Sequence, residues 1–264
     1  MDQFQRTRML LGDAAVELLR EKHVAVFGVG GVGGHVVEVL ARSGVGAIDI
    51  IDNDRVNITN INRQIIALHS TVGQLKVDVM EQRILDINPD CTVRKFATFY
   101  LPANADEFDL TKYDYVVDCI DTVSAKVELV RRCHALNIRI LSCMGAANKM
   151  DATAFRITDI SKTSMDPLAK VIRKRLRKLN IDHLKVVFSE EQPTVPMVQD
   201  TCNDNPECSG QTARRPVPAS NAFVPAAAGL IAGGEVIKDI IGWKKNESLR
   251  KNVSSTILQK KQTE

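Results

Sequence analysis

The 264-residue sequence has six cysteines but no Cys-x-x-Cys pair, no apolar run long enough to span a bilayer, and only a mild net charge of +3. Each deficit excludes something. Without paired cysteines there is no four-ligand zinc site to expect, and Cys119 and Cys143 fall in apolar, strand-like runs where free thiols are commonly buried. A reduced, cytoplasmic compartment is the simpler expectation. The first dozen residues mix Arg6 and Arg8 with polar side chains and lack the apolar centre of a signal peptide. The longest apolar stretch, 222–234, is interrupted by Pro225 and followed by Glu235, Lys238 and Asp239, so it falls short of the ~20 residues a membrane helix needs. Aromatic residues make up 5% of the chain. Few of them lie near its most basic segment, 170–178, where they would stack on bases.

What is present is more specific. The run Val24 to Gly34 leads a buried strand into a glycine turn that opens a helix, and Ile50-Ile51-Asp52-Asn53-Asp54 ends the next strand in acid. Gly28 permits the tight turn, Gly30 and Gly31 let backbone N–H groups approach phosphate, and Gly33 lets helix and strand pack closely. Asp52 is placed to accept hydrogen bonds from ribose hydroxyls. Taken alone, this fingerprint also fits helix–sheet packing or a nicotinamide or flavin enzyme. The following segment, 54–76, turns the reading towards ATP. Asn60, Arg63, Gln64 and Lys76 are phosphate-type ligands where a dehydrogenase would continue its apolar layers, and a triphosphate under attack needs added cations. The plainer alternative for Arg63 and Lys76 is a solvated surface helix.

At 44% hydrophobic and 25% charged residues, the chain is long enough for one large domain and too short for two generous ones. Periodicity predicts helices over 7–21, 32–43, 73–88, 124–136, 166–179 and 225–241. Strands are predicted over 23–28, 46–52, 91–97, 113–120, 139–144, 155–158 and 186–189. The alternating order implies an α/β, Rossmann-like, doubly wound and mostly parallel sheet with a C-terminal α+β extension. Ligands of such sheets bind at the carboxyl ends of strands, where Asp52, Asp121 and Gly145 fall. The expected divisions are 1–150 for the ATP-binding core, 151–242 for the extension, and 243–264 for a polar basic tail. Residues 190–218 are rich in Pro, Asn, Asp, Ser and Gly and read as a long mobile loop.

Together, Gly28-x-Gly30-Gly31-x-Gly33, Asp52-Asn53-Asp54, Asn60-Ile61-Asn62-Arg63-Gln64, Gly73 with Lys76, and Cys119-Ile120-Asp121 resemble the E1-like adenylating superfamily. Three further segments resemble its branch acting on threonylcarbamoyladenosine in tRNA: residues 3–12, 160–168 and 218–225. The resemblance implies attack of a carboxylate on the α-phosphate of ATP, then ring closure with loss of AMP, a net dehydration. It implies that Asp52 holds the ribose, that Asp54 is among the ATP-binding residues, and that Arg63 and Lys76 neutralise the triphosphate. Asp121 would position Mg²⁺, Thr122 would join the ATP-binding residues, and Arg6 would reach across a homodimer. The capping alternative for Asp121 stays open. The tRNA partner gives the basic helix a use, with Arg173, Lys174, Arg177 and Lys178 on phosphates. A sulfur-relay protein is a further partner to consider. Cys202 and Cys208 are candidate thiols of the kind some relatives use, although no base is identifiable beside either. The rival within the superfamily is an adenylyltransferase activating the C-terminus of a ubiquitin-like sulfur carrier. Its usual zinc motifs are lacking here.

Overall fold

Alternation along the central strand sets the layers. In β1 (His23–Phe27), Val24 and Val26 enter one apolar cluster and Ala25 and Phe27 enter another, so both faces are covered. The computed structural model describes residues 2–198 and 218–244. β1 pairs in parallel with β2 (Ala47–Ile51) on one side and with β4 (Tyr115–Asp118) on the other. β3 (Thr92–Phe96) lies outside β2, and β5 (Ile140–Cys143) lies beside β4. β7 (Lys185–Ser189) follows β5 in parallel, and β6 (Phe155–Asp159) closes that edge antiparallel to β7. The order is β3-β2-β1-β4-β5-β7-β6. The expected doubly wound, mostly parallel sheet is therefore the one observed, and residues beyond 150 add two strands to that same sheet.

Helices α3 (Gly33–Arg42), α4 (Lys76–Ile87) and α7 (Val224–Ile240) bury Leu40, Met80 and Val236 against one face. On the other face α5 (Val123–Ala135) contributes Leu129, and α6 (Pro167–Arg177) contributes Ile172 and Leu176. The single helix expected over 7–21 is instead two, α1 (Gln5–Leu11) and α2 (Asp13–Arg20). Gly12 at φ +88° breaks it, with its N–H donating to the Arg8 carbonyl. α2 buries Val16 and Leu19, whereas α1 buries nothing. The expected helix 73–88 starts only at Lys76, because Gly73 at φ +86° turns and donates its N–H to the Val56 carbonyl.

β1 occupies the point where the strand order reverses, since β2 leads off to one side and β4 to the other. The crevice for a ligand lies there, outside the carboxyl ends. Cys202, Cys208 and the tail from residue 245 lie outside the described residues.

Candidate nucleotide site

The glycine turn leaves β1 through Gly28 at φ +90°, where a Cβ would sit 2.8 Å from the Cys119 carbonyl oxygen. A Cβ on Gly33 would fall 1.8 Å from the Gly28 carbonyl oxygen. Both contacts are with backbone, so neither position admits a side chain. Gly30 differs: the atom nearest to a Cβ there is Gln64 Nε2 at 3.8 Å, which leaves room for a ligand. α3 starts without a side-chain cap, so its N-terminal amides keep the anion-binding character of a helix start. Gly31 faces Arg63 on one side and Pro225 on the other, with a Cβ there 3.4 Å from Arg63 Cγ and 3.2 Å from Pro225 Cβ.

Asp52 ties this turn to the end of β2. Its Oδ2 accepts from the Val29 N–H at 2.7 Å and its Oδ1 from the Asp54 N–H at 2.9 Å. Burial pushes its pKa above the usual carboxylate value, against the pull of nearby Lys76. Lys76 opens α4 with its side chain 6% exposed, and its ammonium pairs with Asp54 at 2.6 Å. The cation expected on the triphosphate is thus held by Asp54 in this structure.

Arg63 presents the opposite case. Its Nη1 donates to the Thr59 carbonyl at 3.0 Å and to Asn62 Oδ1 at 2.9 Å, and it makes no ion pair among the described residues. Burial alone lowers its pKa. A half-buried guanidinium without an anion, beside an uncapped helix start, is suited to phosphate. The neighbouring Gln64 is buried with Oε1 unpartnered, and Asn53 Oδ1 is likewise orphaned. Asn60 serves the local backbone instead. Its Oδ1 accepts from the Asn57 N–H and closes the reciprocal cap of the short turn Ile58–Asn60, and its carbonyl accepts from the N–H groups of Arg63 and Gln64, which follow the turn.

Asp121 stands exposed beyond β4, accepting from the Thr122 hydroxyl at 3.3 Å. The N-cap of α5 is Thr122, so capping does not occupy Asp121. One free carboxylate and one hydroxyl fit Mg²⁺, which takes its remaining ligands from phosphate oxygens and water. Among the described residues no three His, Cys, Asp or Glu side chains gather into a ready-made metal cage.

Beneath Asp121 lies a group that sequence reasoning missed. Lys126 is wholly buried, paired with Asp118 at 2.9 Å and donating to the Ile120 carbonyl at 2.9 Å. Ser142 donates to the same carboxylate, and Asp118 Oδ1 accepts from the Ile120 N–H at 3.1 Å. These bonds fix the segment 119–121. The available signal was a carboxylate inside an otherwise apolar strand with a lysine eight positions on. Cys119 and Cys143 bring their sulfurs to 3.8 Å, and this contact together with burial pushes the Cys119 thiol pKa up.

Two expected groups lie away from the turn. Arg6 is exposed on α1, unpaired among the described residues, near Met9 and Leu10, which are 81% and 83% exposed. Arg8, by contrast, is held by Asp2, Asp13 and Glu17. On α6 the expectation needs correction at one position. Arg173 Nη1 is spent on the Ile160 and Thr163 carbonyls and the Thr163 hydroxyl, because the loop before α6 folds back over it. Lys174, Arg177 and Lys178 are exposed and unpaired among the described residues, as are Lys170 and Arg175.

Fold and site together define a nucleotide-binding, doubly wound α/β protein. The chain belongs to the ThiF family, which it matches over residues 4–263. It is 48% identical to the tRNA threonylcarbamoyladenosine dehydratase of Bacillus subtilis (strain 168), over 91% of this chain and 95% of that protein. The Escherichia coli K12 protein of the same name is 40% identical over 75% of this chain and 77% of its own. The crystal structure of the E. coli dehydratase in complex with ATP superposes with a TM-score of 0.80 at 34% identity, covering 91% of this chain and 94% of that one.

Proposed function

We propose that this chain is an ATP-dependent enzyme that dehydrates N6-threonylcarbamoyladenosine in tRNA to its cyclic form through a carboxyl-adenylate. The observation that carries the reading is the half-buried Arg63, without an anion among the described residues, beside Gln64 Oε1, which lacks a donor among them, at the glycine turn. The near full-length identity to a protein named for that substrate supports it. In the first step a carboxylate oxygen of the threonyl group bonds to the α-phosphorus, the bridging bond to the β-phosphate breaks, and pyrophosphate leaves. A nitrogen of the same group then attacks the activated carbonyl, loses its proton, and expels AMP. Charge builds on the bridging oxygen and the departing pyrophosphate, and a guanidinium at Arg63 follows it without changing protonation. Lys76 joins when Asp54 yields it, and Asp52 accepts from the ribose. Asp121 and Thr122 would hold Mg²⁺, which supplies further neutralisation of phosphate oxygens.

The wider parts of the reading follow from the same resemblance. Residues 1–150 form the ATP core, 151–242 carry the RNA-facing helix, and 243–264 form the tail. Arg6 reaches the site of a second copy in a homodimer, and a sulfur-relay protein is a candidate partner. The enzyme works in the cytoplasm; no helix among the described residues is long and apolar enough to cross a membrane. The test is mass spectrometry of nucleosides from threonylcarbamoyladenosine-bearing tRNA incubated with the protein, Mg²⁺ and ATP, beside Arg63→Ala. The expected result is loss of one water that depends on ATP and Arg63. An unchanged nucleoside with measurable ATP binding overturns it and favours an adenylyltransferase with a protein substrate.

A further inference from the structure

Two sequence segments remain unused by the nucleotide chemistry, 160–168 and 218–225, and they meet at one buried lysine. Lys149 follows β5 with its side chain 1% exposed; its Nζ donates to the Gly145 carbonyl at 2.9 Å and lies 3.4 Å from Asp166 Oδ2. The other oxygen of Asp166 caps α6, accepting from the Ala169 N–H at 2.9 Å. The Lys149 carbonyl accepts from Asn221 Nδ2 at 2.8 Å, and Asn221 Oδ1 in turn accepts from the Val224 N–H at 2.9 Å, at the start of α7. Beside it, the Ser220 carbonyl accepts from Asn62 Nδ2 at 3.1 Å, and Pro225 packs on Gly31. An unbroken set of contacts therefore runs from the glycine turn and the residue next to Arg63, through 220–225 and Lys149, to the N-terminus of the basic helix.

We propose that Lys149 is a positioning residue. Its ammonium ties the 145–149 segment to Asp166 and so places the main-chain carbonyl that receives Asn221, which holds α6 and the 218–225 strap in fixed register over the glycine turn, so that an RNA docked on α6 presents its carboxylate to the α-phosphate. The inference rests on the reading given under Proposed function. An ammonium suits this position, because it satisfies a carbonyl and a carboxylate at once from a site with no access to water. A buried carboxylate that loses its cation is left uncompensated, which displaces whatever it caps.

The experiment compares wild type, Lys149→Met, Lys149→Arg and the double variant Lys149→Met/Asp166→Asn. Asparagine in the last keeps an acceptor for the α6 cap while removing the lone buried charge. Four quantities are measured for each: melting temperature, ATP dissociation constant, tRNA dissociation constant, and kcat and KM for nucleoside conversion. The expected result is at least tenfold lower kcat in Lys149→Met and in the double variant, with both dissociation constants within twofold of wild type. Lys149→Arg is expected to recover most of the kcat. Wild-type kcat in a folded double variant overturns the proposal, because it makes the pair a stabilising contact only. Parallel loss of ATP affinity also overturns it. Should Lys149→Met fail to fold, the double variant carries the test. Absence of conversion by wild type itself would instead count against the dehydratase reading. In that case hydrogen exchange of 218–225 decides the strap, with faster exchange in the double variant expected and unchanged exchange overturning it.

Discussion

The two ends of the same sheet differ in the polar groups they leave without partners. At the amino ends of the strands the buried polar side chains are matched: Asp49 accepts from Tyr113 at 2.8 Å and contacts His23 Nε2 at 2.7 Å. Asp239 accepts from Tyr115 at 2.7 Å and pairs with Lys185 at 2.7 Å, and Glu235 joins at 3.0 Å. At the carboxyl ends Asp118 is matched by Lys126 and Ser142, but around the glycine turn, among the described residues, Arg63 lacks an anion and Gln64 Oε1 and Asn53 Oδ1 lack donors. Buried polar atoms are rarely left unsatisfied in a native protein, and an unpartnered one is costly. The contrast therefore separates the end built to hold the fold from the end built to hold a ligand.

Substitutions at the two ends should fail differently. Arg63→Ala is expected to lower nucleoside turnover by about 10²-fold or more, as loss of a preorganised charge stabiliser does, while the denaturation midpoint moves little. Asp49→Ala should do the reverse. It strands the Tyr113 hydroxyl and loses the His23 contact, costing about 1–3 kcal/mol in urea unfolding, with the ATP dissociation constant unchanged. Equal loss of both properties in both variants would dissolve the contrast.

The cations of α6 divide along similar lines. Replacing Lys174, Arg177 and Lys178 together by alanine should weaken tRNA binding and flatten its dependence on log salt by about 2–3, at roughly 0.9 per phosphate contact. Arg173→Ala should instead lower stability, since its guanidinium holds the loop before the helix. The smallest expected effect is a pH effect. Burial raises the Asp52 pKa, so as pH falls through that value the carboxylate protonates and becomes a weaker acceptor for its two N–H donors and, on the proposed reading, for ribose. ATP affinity should fall several-fold as pH drops through the raised Asp52 value and be flat in Asp52→Asn. Its stability contribution has the opposite sign. A raised folded-state pKa favours folding below the ordinary carboxylate value, and that gain is lost as pH rises through the folded value.

Much of this was legible in the residues, for reasons that can be named. The run Tyr115 to Ile120 is apolar and β-branched as a strand buried on both faces must be, and β4 is there. Asp166-Pro167 announces a helix start, and Asp166 caps α6 with Pro167 in its first turn. The glycine turn was readable because its spacing encodes backbone contacts, those of Gly28 and Gly33 with carbonyl oxygens. The split at Gly12 was not, since apolar periodicity continues through it and only a positive φ distinguishes hinge from helix. The Asp118–Lys126 and Lys149–Asp166 pairs were hidden for another reason. Pattern reading assigns charges to solvent, and burial of a matched pair is decided by tertiary packing. Arg173 looked like its neighbours for the same reason.

The strap over the glycine turn also orders events in time. The Asn62–Ser220 bond joins residues 158 positions apart. At synthesis rates of about 5–20 residues per second, Ser220 follows Asn62 from the ribosome by roughly 8–30 s. During that interval the glycine turn, Asp52 and Arg63 have already been made and their roof has not. A nascent chain can thus gather the parts of the glycine turn well before it owns the strap that closes over them.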